Sequence, residues 1–188
     1  MNKDSILLLI ANLISVVNLF LYACMYIYTG RKKVLLFQSL SVACTIVIYA
    51  ISGCYSSVIA NSLAILRNQY NSKGAPFGQR INFLILIVGC ITTFFANGGL
   101  DDFSFYTYLP LLSLILCSIA VMFFKSAISI QIVTCFDGIL WIWYDVENVL
   151  YVNVVTDILI IMMTIFVGIL AFYDKMNAKE EKEDINVI

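Results

Sequence analysis

The sequence predicts an all-α polytopic membrane protein, with seven transmembrane helices in a 3+1+3 arrangement and six as the alternative count. Three observations carry this. Apolar residues make up 62% of the 188, and charged residues only 12%, against about 45–50% and about 25% in soluble domains. The apolar residues fall in separate runs, most near the roughly 20 residues that cross a ~30 Å hydrocarbon core. The basic residues collect in alternate gaps between those runs, the pattern of the positive-inside rule.

The first run covers 5–28. It is too long for the apolar stretch of a usual signal peptide, and no small-x-small site follows before Arg31. Leu21-Tyr22-Ala23-Cys24 fits a lipoprotein cleavage box poorly because of its tyrosine. Asn12, Ser15 and Asn18 recur at helical spacing and turn a polar stripe toward the other helices. Arg31, Lys32 and Lys33 fill the first gap. The second run, 34–52, carries Gln38. The third, 54 to about 66, carries Asn61 and ends at Arg67, which is read as snorkelling to the interface.

The loop 71–80 holds Gly74, Pro76 and Gly78 and is the main linker signal. The fourth run, 81–96, is short like the third, so either could be shallow or tilted. The fifth covers 106–124 and the sixth 126–144, with Lys125 between them. The sixth contains Gln131, Asp137, Trp141 and Trp143. An acidic turn, Tyr144-Asp145-Val146-Glu147-Asn148, leads to the seventh run, 149–173, with Asn153, Thr156 and Asp157. The chain thus divides into a three-helix bundle (1–70), a linker loop and helix (71–100), a second bundle (101–173) and a charged, mobile tail (174–188).

With seven spans, every Lys and Arg except Lys3 lies on one side, and Asp101, Asp102, Asp145 and Glu147 lie on the other. This places the N-terminus outside and the C-terminus in the cytoplasm. A net charge of −1 gives no nucleic-acid footprint. With no histidine in the chain, the usual ligand of zinc, haem and copper is missing. The six cysteines stand singly, as small hydrophobes rather than a disulfide framework. No phosphate loop, nucleophile elbow or metal-ligand spacing occurs, so neither an enzyme nor a cofactor or metal is expected.

Runs one to three and five to seven form a loose repeat. In each, a helix with an internal glutamine (Gln38, Gln131) is followed by a tight turn. A helix with an asparagine (Asn61, Asn153) comes next. Arg31-Lys32-Lys33 through Gln38-Ser39-Leu40, then Ser52-Gly53, then Asn61 to Arg67-Asn68, resembles the first half of the YgjV-like bacterial inner-membrane proteins. Trp141 to Tyr144, followed by Asp157, resembles their second half. That family is in turn distantly similar to the SWEET and PQ-loop (MtN3-like) transporters, which implies two three-helix bundles joined by a linker helix. The prolines that serve those transporters as hinges have no counterpart here, since Pro110 opens run five and Pro76 is in a loop.

Ionisable residues inside a membrane run are costly and are functional candidates by default. Asp157 and Asn153, four residues apart, share a helix face. With Asp137, Asn61 and Trp141 they form the candidate solute-binding set, Asp157 serving as ion or proton carrier. The competing reading for the polar residues is interhelical hydrogen bonding. For Trp141 and Trp143 it is anchoring at the interface. The expected partners are the lipid bilayer and a small polar solute, with no nucleic acid and self-association left open. A non-transporting structural or regulatory subunit is the alternative function.

Overall fold

A computed structural model describes residues 3–28, 30–72, 78–97, 104–124 and 127–185. Gly74, Pro76, Asp101, Asp102 and Lys125 lie outside the described residues. Among the described residues are seven α-helices: α1 (Lys3–Ile27), α2 (Arg31–Ile51), α3 (Tyr55–Ser72), α4 (Gly78–Ala96), α5 (Leu109–Phe123), α6 (Ala127–Glu147) and α7 (Tyr151–Ile185). A single 3-10 turn, Phe105–Tyr108, leads into α5, whose second residue is Pro110. Proline there forfeits no helical hydrogen bond.

Among the described residues, four helical segments are long and apolar enough to cross a membrane: Ile6–Ile27, Arg31–Ile51, Phe105–Phe123 and Tyr151–Leu170. Arg80–Ala96 is a shorter apolar helix. The seven-run reading is therefore coarser in its support than in its helix count. α3 carries Asn61, Arg67, Asn68 and Asn71 within 18 residues.

The packing is inverted relative to a soluble domain. Phe20, Phe83, Phe95, Phe123, Phe136 and Phe166 are exposed, whereas Ser15, Asn18, Gln38, Asn61, Asn68, Asp137 and Asp145 are buried. An apolar exterior with hydrogen-bonding groups inside is what a lipid solvent selects, and with the long apolar helices it points to a membrane protein.

Six helices close a ring. α1 packs on α2 and α7, α2 on α3, α3 on α5, α5 on α6, and α6 on α7. α4 stands outside it against α3 and α5. The approach of α4 needs Gly89, where a Cβ would lie 2.4 Å from Leu114 Cδ2 and 3.2 Å from Leu63 Cδ1.

The helix pairs α2–α3 and α6–α7 repeat in register. Arg31 and Ala127 open α2 and α6, Ile51 and Glu147 close them, and Tyr55 and Tyr151 open α3 and α7. The interval is 96 residues, which is also the separation of Tyr49 from Asp145. The turns are built alike. The Cys54 N–H donates to the Tyr49 carbonyl at 2.9 Å, and the Leu150 N–H to the Asp145 carbonyl at 2.8 Å. Each turn passes through one left-handed residue, Gly53 at φ 76° and Val149 at φ 60°. This register pairs Gln38 with Thr134 and Asn61 with Asp157. It replaces the amide-to-amide match of Gln38 with Gln131 and Asn61 with Asn153, which placed the second turn at Tyr144-Asp145, inside what is the last turn of α6.

Two local expectations are corrected. Tyr144 to Glu147 is the last turn of α6, and only Asn148 to Leu150 connects it to α7. The segment from Lys175, read as a mobile tail, continues α7 as helix to Ile185, as its strong helix formers Ala, Lys and Glu favour.

Candidate functional site

The ring surrounds a partly open cavity of about 50 Å³ lined by polar and apolar side chains. Asp137 and Trp141 reach it from α6, Asn153 and Asp157 from α7, and Asn61 from α3. All five candidate residues therefore line one space. Asp145 and Arg67 line it as well, although the sequence reading had placed one in an outer loop and the other at the interface.

α6 supplies one wall through helical spacing. Asp137, Trp141 and Asp145 follow at intervals of four, so one face of the helix carries all three. The Trp141 indole N–H donates to Asp137 Oδ2 at 3.2 Å. Asp137 is 8% exposed, and its Oδ1 is buried without a hydrogen-bond partner. Ser113, Cys117 and Arg67 lie around that carboxyl. Asp145 is 1% exposed; the Tyr49 hydroxyl donates to its Oδ1 at 2.8 Å, and its Oδ2 has no partner.

Trp141 is not an interface anchor. Its ring stacks on Tyr49 at 5.4 Å and 24° and meets Tyr144 edge-on at 5.8 Å. Trp143, on the opposite side of α6, is exposed and packs on Phe105 at 5.3 Å. The two tryptophans, read together from sequence, have different surroundings.

On α7, the Ser15 hydroxyl donates to Asn153 Oδ1 at 2.8 Å, tying α1 to α7. Asn153 borders a second space, an apolar groove of about 490 Å³ formed by α1, the α2 end and the start of α7. Asp157 is partly buried on the cavity wall and has no hydrogen-bond partner among the described residues. It lies within electrostatic reach of Asp137 and Asp145. Asn61 is anchored by donating from Nδ2 to the Ser57 carbonyl at 2.9 Å.

Arg67 does not snorkel. It is 2% exposed and donates to Asn68 Oδ1 from Nε at 3.1 Å and Nη2 at 3.0 Å, and to Ser118 Oγ from Nη1 at 3.4 Å. Asn68 Nδ2 donates to Gln38 Oε1 at 3.0 Å, and Gln38 Nε2 to Thr134 Oγ1 at 3.4 Å. A polar strut thus runs from α5 through α3 and α2 to α6. Gln131, by contrast, is spent on the Met25 carbonyl at 3.2 Å. The stripe on α1 faces inward: Ser15 and Asn18 are buried, with Asn18 bonded to Ser41 and Thr45.

The cavity can hold water and small polar or charged groups, because carboxyl oxygens, amides and a guanidinium line it. No family model, curated protein or solved structure matches the chain.

Proposed function

We propose that this chain binds or transports a small polar solute at the central cavity, and that it does so as a carrier rather than an enzyme. The observation that carries this is the pair of buried carboxyl oxygens, Asp137 Oδ1 and Asp145 Oδ2, which no donor meets at hydrogen-bond geometry although Ser113 and Cys117 lie beside one carboxyl and Asn153 beside the other, on the wall of a partly open cavity. Buried polar groups are normally hydrogen-bonded. Residues serving only to join helices would be expected to pair with each other.

The architecture in this reading is 3+1+3, with α1–α3 and α5–α7 as the bundles and α4 as the link. The outer position of α4 and the register of the two helix pairs support it. Parallel repeats in transporters hold their sites at the repeat interface. The YgjV-like resemblance, and the distant similarity to SWEET and PQ-loop transporters, belong to the same proposal. So does a bacterial inner-membrane location with the N-terminus outside and the C-terminus cytoplasmic, on the strength of the basic residues.

A second reading, a non-transporting subunit, draws on the hydrogen bonds that join helices: Ser15 to Asn153, Gln38 to Thr134 and Gln131 to Met25. Labelling separates the two. In a cysteine-free background, Asn61→Cys and Asp157→Cys are expected to react with a small polar thiol reagent. Silence at both positions in the folded protein favours the subunit. Lys182→Cys is expected to label only from the cytoplasmic side.

A further inference from the structure

We propose that the cavity takes a small organic cation, an alkylammonium group of methylammonium size, held between Asp145 and Asp157 against the rings of Tyr49 and Trp141. This rests on the reading of the cavity as a solute site and names the class of solute.

Charge selects the sign. Three carboxyls line the cavity, and among the described residues one cation, Arg67, lines it with them. Arg67 is already engaged, by Asn68 and Ser118 and by the field of Asp137 beside Cys117. Asp157 instead lies within reach of two other acids, Asp137 and Asp145. The Asp145–Asp157 end of the cavity therefore lacks a resident positive charge; Asp145 Oδ2 there, at 1% exposure, has the neutral side chain of Asn153 near it but no donor at hydrogen-bond geometry. An unpaired carboxylate in such surroundings favours a cation or a proton beside it.

The remaining walls select among cations. Among the described residues, no three His, Cys, Asp or Glu side chains come close enough together to hold a metal ion. Tyr49, Trp141 and Tyr144 form a cluster of stacked and edge-on rings next to Asp145. Ring faces attract ammonium groups. The space of about 50 Å³ equals about three to five waters on a measure where one needs ~10–15 Å³, so a group of one or two heavy atoms fits. The repeat adds an independent argument. Where the first helix pair places the amide Asn61, the second places the acid Asp157, and the substitution adds a negative charge at constant size.

The test is equilibrium binding of radiolabelled methylammonium to the purified full-length chain in detergent, at fixed ionic strength, with glycerol and acetate as neutral and anionic probes. Saturable methylammonium binding is expected. It should weaken by at least about tenfold in Asp157→Asn and in Asp145→Asn, the loss of one charge-assisted contact, and recover partly in Asp157→Glu. Saturable binding of glycerol or acetate without methylammonium overturns the cation and leaves the solute site standing. No saturable binding of any probe by the folded wild type overturns both. Methylammonium binding unaffected by either substitution overturns the assignment to these carboxyls.

Discussion

Tyr49 and Asp145 hold equivalent positions in the two helix pairs, 96 residues apart, and hydrogen-bond to each other at 2.8 Å. A repeat has thereby brought a residue into contact with its own counterpart. Gln38 and Thr134 do the same at 3.4 Å, again 96 residues apart. Gln38, Tyr49 and Asp145 from these contacts all line the cavity.

Removing the hydroxyl tests the first contact. Tyr49→Phe removes the hydroxyl that donates to Asp145 Oδ1, which should lower stability by about 1–3 kcal/mol. Thermal unfolding in detergent measures it. Combining Tyr49→Phe with Asp145→Asn should cost less than the sum of the two changes; strict additivity would deny the coupling.

Ser15→Ala removes the bond to Asn153 and with it one tie between α1 and α7. Interhelical hydrogen bonds in membrane bundles average about 0.6 kcal/mol, so a small fall in melting temperature is expected. Asn153→Ala added to Ser15→Ala should cost more, because Asn153 also neighbours the Asp145 carboxyl. No further loss would mean that Ser15 is the only partner of consequence.

The left-handed turn residues give a prediction of opposite sign. Val149 sits at φ 60°, where a β-branched residue is strained, while Gly53 meets the same demand at no steric cost. Val149→Gly should raise stability by roughly 1 kcal/mol and Gly53→Val lower it. A destabilised Val149→Gly protein would show that the exposed valine side chain matters more than its backbone.

Gly89→Ala inserts a methyl group 2.4 Å from Leu114 Cδ2, and Leu114 is itself buried. Overpacking of this kind costs about 1–3 kcal/mol, more than the helical preference of alanine over glycine returns. Leu114→Ala in the same chain should relieve it. Unfolding temperatures of the two variants decide; equal losses would place the strain elsewhere.

Much of the candidate site was legible in the sequence because acids and amides inside apolar runs are conspicuous. Asp137, Asn153, Asp157 and Asn61 were found that way, and they share a cavity. Asp145 was missed because it stands where an apolar run gives way to polar residues, which looks like a loop. The signal was present in the spacing: Asp137, Trp141 and Asp145 follow at intervals of four, and a helix extended by one turn puts them on one face. Arg67 was missed because snorkelling is the usual fate of a cation near a run's end. Only the tertiary strut through Asn68 and Gln38 shows why it turns inward. The repeat was seen, but its register depends on backbone turns at Gly53 and Val149, and identical side chains misled the alignment.

The distribution of charge around the cavity makes its chemistry a joint product of the two halves. Every carboxyl on its wall belongs to α6 or α7, and the guanidinium belongs to α3. A symmetric assembly of two first halves would hold two arginines and no acid there; two second halves would hold six acids and no base. Neither half by itself therefore carries both signs, and a base beside acids exists in the cavity only in the combined chain.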